Sequence, residues 1–244
     1  MSDTVAPVEQ GHMREFWNRR AREEAYFFVD DRRAYGDPEL ESFWAEGERD
    51  LGRLLEFLEV EIKPTDTVLD IGCGVGRLSR VIAGRAARVC GLDISSEMID
   101  RAREHHASLA NIEWIVGDGT SLRPLPDGSV DGCVSHVVFQ HIPDPSITLG
   151  YIAEMGRVLR PGGWAAFHVS GDAHIHRRRR GARAELRRLA AMLGRAPRGQ
   201  ADPAWLGSAV ELEDVREVAR RSGLELERVL GEGTQFCLIR ARKR

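Results

Sequence analysis

Short apolar runs alternate with amphipathic stretches along most of this chain. The largely apolar runs at 67–71, 88–92, 112–116, 130–135 and 163–170 each predict a strand. Helical spacing of apolar residues predicts helices at about 76–84, 96–106 and 147–159. Strands that alternate with helices argue for a parallel sheet covered on both faces. Pro126-Asp127-Gly128 reads as a turn before the fourth strand, and Arg160-Pro161-Gly162-Gly163 fits a type II turn before the fifth. Upstream, residues 1–12 read as a loose tail, 13–33 favour helix, and 39–60 predict a second helix with Leu51, Leu54, Leu55 and Leu58 on one face. Downstream, a helix over 213–222 leads to strands at 224–230 and 235–241.

Composition narrows the class. A chain of 244 residues, 42% hydrophobic and 30% charged, has room for one well-buried α/β domain and a modest embellishment. A net charge of −3 gives no general pull toward nucleic acid or an anionic membrane. No apolar run approaches the ~20 residues that span a bilayer, and the amino terminus lacks the pattern of a secretory signal. Cys73, Cys90, Cys133 and Cys237 show neither a C-x-x-C pair nor histidine at metal spacing, so they read as small buried residues in a cytoplasmic protein with no metal site.

Chemistry concentrates in Val68-Leu69-Asp70-Ile71-Gly72-Cys73-Gly74-Val75-Gly76-Arg77-Leu78, followed by Gly91-Leu92-Asp93. Glycines at 72, 74 and 76 leave main-chain N–H groups bare at a strand-to-helix turn, where a ligand can lie against them. Asp93, closing the next apolar run, is placed to accept hydrogen bonds from a ribose diol. The pattern predicts an adenosine-containing cofactor. Arg77 stands where a dinucleotide fingerprint carries its third small residue, which disfavours a nicotinamide enzyme.

Asp70 before the loop, Asp93 after the second strand and Val116-Gly117-Asp118-Gly119 after the third together resemble the class I S-adenosylmethionine-dependent methyltransferases. The likeness continues through Val130-Asp131-Gly132-Cys133-Val134-Ser135 and Arg157-Val158-Leu159-Arg160-Pro161-Gly162-Gly163, so it spans roughly residues 60 to 170. It implies a Rossmann-like, mostly parallel seven-stranded sheet with helices on both faces, an antiparallel last strand and an N-terminal helical lid. Residues 1–60 are then the lid and 61–244 the methyltransferase domain, with 171–210 as a substrate-side insert. The resemblance assigns the methionine part of S-adenosylmethionine to Asp70, Gly72, Cys73, Gly74 and Gly76, and the ribose to Asp93. It assigns the adenine amine to Asp118, with Ile94, Met98, Gly119 and Ser135 completing the cofactor set.

Methyl transfer from a sulfonium needs positioning and exclusion of water more than a dedicated triad. His141 and His136, in the stretch after the fourth strand, are the candidate general bases, since imidazole titrates near neutrality. The plainer reading is that they pack the loop. Eight of the sixteen aromatic residues fall within the first 44 positions, and Trp17, Tyr26 and Trp44 are expected to shield the reacting centre and meet the acceptor. His168 is the further candidate for acceptor contact, in a loose group with His174 and His176. Nine arginines between His174 and Gly199, against Glu185 alone, form either a solvated face or a grip on an anionic small molecule, ahead of RNA.

The expected function is therefore methylation of O or N on a small molecule in bacterial biosynthesis, by a monomer or homodimer. An RNA or protein methyltransferase is the alternative enzyme, but Ser135-His136-Val137-Val138 replaces the Asn/Asp-Pro-Pro-Tyr/Phe motif common in that branch. A non-catalytic cofactor-binding regulatory subunit is the alternative of another class. The intact glycine loop and ribose acid count against it.

Overall fold

The computed structural model of the protein describes residues 10–36, 39–177, 190–191 and 197–244. Seven strands form one sheet in the order β3-β2-β1-β4-β5-β7-β6. They are β1 (Thr67–Ile71), β2 (Arg88–Asp93), β3 (Ile112–Val116), β4 (Val130–Ser135), β5 (Leu159–Val169), β6 (Leu224–Leu230) and β7 (Cys237–Lys243). The first five pair in parallel, and β7 runs antiparallel between β5 and β6. Strand order reverses between β2-β1 and β4, the place where open α/β sheets receive ligands.

Alternation along β1 builds both cores at once. Leu69 and Ile71 enter a cluster with Leu92, Cys133, Ile152 and Phe167, while Val68 enters the opposite one with Leu54, Val89 and Ala166. Helix α5 (Pro145–Val158) covers the first face together with α7 (Leu212–Arg221). The second face is covered by α2 (Glu41–Leu58), whose buried stripe of Phe43, Gly47, Leu51, Leu54, Leu55 and Leu58 follows helical spacing. Thus α2, expected in a lid, packs on the sheet. It is α1 (Gln10–Val29) that crosses toward α4 (Ser96–His105) over the carboxyl ends of the strands.

Local chemistry explains where elements depart from the expected bounds. Helix α3 is Ser79–Ala83, three residues shorter at its start than expected, because positive φ at Gly74 (55°) and Gly76 (84°) is incompatible with a right-handed helix. Strand β5 begins at Leu159, and Arg160 to Gly163 bulge out of its pairing with β4 while Gly162, at φ 81°, makes the expected turn. Two short elements were not anticipated: a 3₁₀ turn at Phe139–His141 and α6 (Pro203–Leu206), capped by Asp202 with proline at its first position. All four cysteines are buried and free. Most of the arginine-rich stretch, from Arg178 to Arg195, lies outside the described residues.

Gly156 tests the close crossing of α5 and α7. A Cβ there would fall well inside van der Waals contact of the Ser222 backbone oxygen. Helix propensity alone favours Gly156→Ala by about 1 kcal/mol. The crossing predicts the opposite sign, a loss of about 1–3 kcal/mol in urea denaturation.

Candidate functional site

The cavity of about 280 Å³ lies at the carboxyl ends of β1, β2 and β4, beneath α1. Its floor is the expected loop. Gly72 and Gly74 have φ of 74° and 55°, and Val138 lies so close to Gly72 that any Cβ would collide with it. Val29 of α1 would sit 3.0 Å from a Cβ on Gly74, so lid and loop are in contact. The loop after β4 is strained where it meets this floor, because Val137, a β-branched residue, holds φ at 58°.

Two carboxylates organise the floor. Asp93 accepts from the N–H of Gly74 (2.9 Å) through one oxygen and from the N–H of Ser95 (2.8 Å) through the other. Burial pushes Asp93 upward despite those bonds. Asp70, buried, accepts from the Ser79 hydroxyl at 2.6 Å. Burial, with the Asp93 charge nearby, moves it up to about 6.

Besides Asp70, Gly72, Cys73, Gly74 and Asp93, the cavity wall includes Ile94, Met98 and Gly119 from the expected cofactor set. Three others are placed elsewhere. Gly76 lacks a side chain because Trp114 (2.6 Å) and His106 (2.7 Å) occupy the space a Cβ would take. Ser135 is fully buried and donates to the Ile71 carbonyl (3.2 Å), tying β4 to β1. Asp118 faces a separate shallow cleft with Arg14 and Arg123. Against the cost of partial burial, hydrogen bonds from Ser121 and Thr120 hold Asp118 below the ordinary carboxylate range.

The acceptor candidates divide in the same way. Trp17 lines the cavity, its ring 5.6 Å from that of His141. Tyr26 and Trp44 do not. They pack with Phe43, His105 and one another between α1, α2 and α4, an anchor for the lid rather than a face of the cavity. His168 is fully buried behind the wall, donating Nε2–H to the Gln235 carbonyl at 2.8 Å, and burial lowers it to about 3. His174 is exposed and His176 bonds to the Leu206 carbonyl and Ser170, so the three histidines do not assemble. Among the described residues no group of His, Cys, Asp and Glu could hold a metal ion, and no helix is long and apolar enough to cross a membrane.

Both base candidates line the cavity. His141 Nδ1 lies 2.7 Å from the Trp205 carbonyl, so that nitrogen carries the proton and donates. Its Nε2 is then the lone pair, accepting from the Gln140 amide at 3.2 Å. Burial lowers the His141 pKa and moves His136 down to about 4, so both are neutral near pH 7.

A charged quartet escaped the sequence reading. Arg32 grips Asp30 (2.6 Å) and Asp50 (2.6 Å), and buried Arg77 also reaches Asp50 at 2.6 Å. Burial penalises both acids, but the guanidinium bonds win and hold Asp30 low and Asp50 at about 2. These pairs bolt the end of α1, helix α2 and the glycine loop together. The signal was available: an arginine in place of a small residue after a glycine loop needs a buried partner. Trp205 and Phe236 were also missed, although Asp202-Pro203 is a helix-start signature that marks α6.

Comparison with known proteins adds likenesses of sequence and of fold. Residues 69–167 match the family described as methyltransferase domain. The ubiquinone biosynthesis O-methyltransferase of Thiobacillus denitrificans is 30% identical over 67% of this chain and 66% of its own length. The malonyl-[acyl-carrier protein] O-methyltransferase of Hahella chejuensis is 38% identical over 48% of this chain and 40% of its own. The chain spans 23–40% of the length of five of the curated relatives it matches. Among solved structures, geranyl diphosphate C-methyltransferase from Streptomyces coelicolor A3(2) aligns over 98% of this chain and 100% of that one, with TM-score 0.64 and 16% identity, a likeness of fold.

Asp70 yields a prediction whose sign follows from its raised pKa. A carboxyl lifted from 3.8 to about 6 by folding contributes stability below the lower value that is lost as pH rises through the higher one. In the ligand-free protein Asp70→Asn should raise stability by about 1–3 kcal/mol near pH 8 and by much less near pH 4. Thermal melts across that range check it.

Proposed function

Because this chain, through residues 69–167, belongs to the S-adenosylmethionine-dependent methyltransferases, we propose that it transfers a methyl group from S-adenosylmethionine to oxygen or nitrogen of a small molecule. The observation that carries this reading is the floor itself, where bare backbone at Gly72 and Gly74 faces the cavity beside buried Asp70 and partly buried Asp93. The residues fit the cofactor. A Cβ would obstruct the floor, Asp93 offers acceptor oxygens suited to a ribose diol, and Asp70 a carboxylate suited to an ammonium group. Ile94, Met98 and Gly119, which line the same cavity, would complete the surface that holds it. When bound, the cofactor supplies a methyl group already activated on sulfur.

The protein's contribution is then positioning, dryness and a proton acceptor. Helix α1 closes over the floor with Met13 and Trp17, and the quartet holds its end against the loop. His141, fixed as the Nδ1–H tautomer by the Trp205 carbonyl, directs Nε2 to take a proton from the acceptor once Gln140 yields. His136 serves as wall, since burial leaves it a weaker base. Four buried thiols suit a reducing, cytoplasmic setting.

Calorimetry with S-adenosylhomocysteine tests the cofactor. Binding with Kd of about 1–100 μM is expected. Its absence in folded protein overturns the reading. Gly72→Ala, forced into φ 74° against Val138, should weaken that binding by about tenfold or more.

His141 is tested separately. Its neutral form is required and its pKa is lowered, so the acid limb of kcat should lie below pH 6.5. His141→Ala should lose that limb and about 100-fold in kcat. A rate within about threefold of the parent at saturating cofactor removes the residue as a base.

A further inference from the structure

The cavity is electrostatically lopsided. Its charged lining consists of five aspartates, at 30, 31, 50, 70 and 93, and two arginines, at 32 and 77. Both guanidinium groups are engaged by Asp30 and Asp50. The remaining wall carries no cation among the described residues. It is built of Trp17, Phe28, Trp205 and Phe236, with amides from Gln140 and Gln235 and the neutral histidines. An anion entering here would lose hydration and find no unengaged cation among the described residues of the wall. A flat, uncharged body would lie on aromatic faces and lose little.

Trp205 is the best-fixed part of that wall. Its ring lies 5.0 Å from His141, 5.4 Å from Phe28 and 6.2 Å from Trp17. Three histidines from separate parts of the chain hold its short helix. His12 reaches Asp202 at 2.9 Å, His141 donates to the Trp205 carbonyl, and His176 donates to the Leu206 carbonyl. Gly207 then presses against the Gln140 carbonyl more closely than any Cβ would permit. A wall tied at so many points cannot recede to admit a different shape.

We infer that the acceptor is an uncharged, ring-bearing molecule seated against the aromatic wall of Trp17 and Trp205 with Phe236 at the rim, and that Trp205 is a specificity-determining residue. The inference rests on the proposed methyl transfer only in calling that molecule the acceptor.

The test uses the full chain loaded with S-adenosylhomocysteine and two probes of one shape, naphthol and naphthoate, in calorimetry at neutral pH. Naphthol should bind at least about tenfold tighter than naphthoate. Trp205→Ala should weaken naphthol by about tenfold while S-adenosylhomocysteine affinity stays within about threefold. Trp205→Phe, which keeps a ring, should restore most of the loss. Phe236 is 52% exposed, so Phe236→Ala leaves the core intact and should still weaken naphthol by about threefold. Equal or tighter binding of naphthoate overturns the inference, as does unchanged naphthol affinity in both alanine variants. No heat from S-adenosylhomocysteine overturns the cofactor reading, and with it only the naming of the bound molecule as the acceptor. Normal cofactor heat with indifferent probes overturns this inference alone.

Discussion

One hydrogen bond sets the geometry of the site: the Gly74 N–H donates to the Asp93 carboxylate across the ends of two parallel strands. Asp93 also receives the Ser95 N–H, and the Ser95 hydroxyl in turn caps α4 by accepting from the Met98 N–H. A single carboxylate thus couples the glycine loop to the start of the next helix. It can do so because β1 and β2 pair in register, Asp70 beside Gly91 and Ile71 beside Leu92, which brings the loop after one strand to the end of the other. Burial makes the arrangement costly to ionise, so the floor is poised to gain from a cation placed between Asp70 and Asp93.

The quartet around Arg77 shows how a departure from a common motif is accommodated. A buried guanidinium without partners would be prohibitive, and here Asp50 supplies one partner directly while Asp30 stands 3.8 Å away. Gly47 of α2 lets the Arg77 stem approach, since a Cβ there would lie 2.6 Å from its Cγ. The same ion pairs place the end of α1 above the loop through Arg32. Their value lies in specifying one position for the lid, because ion pairs of this kind add little net stability.

Opposite this charged seam, the wall after β4 is kept neutral by burial. His141 has a fixed tautomer, His136 a lowered pKa, and Gln140 links His141 to Gln235 beside β7. The linked polar groups of this wall are thus hydrogen-bonded but uncharged. The aromatic residues close the remaining side.

The parallel sheet, the glycine loop and Asp93 were legible because each rests on local pattern: apolar runs of strand length, glycine where φ must be positive, and an acid at a strand end. Family likeness extended that reading to Asp118, Ser135 and Gly76, which folding directs into a separate cleft, an interstrand bond and a tight approach of His106 and Trp114. Spacing likewise placed aromatic residues in the first helices, but only packing decided that Trp17 faces the cavity and that Tyr26 and Trp44 anchor the lid. Contacts across more than a hundred positions, such as His141 with Trp17, leave no trace in the periodicity of either segment. Backbone conformation is thus written in neighbouring residues, whereas the assembly of a cavity wall depends on which distant side chains arrive at the same place.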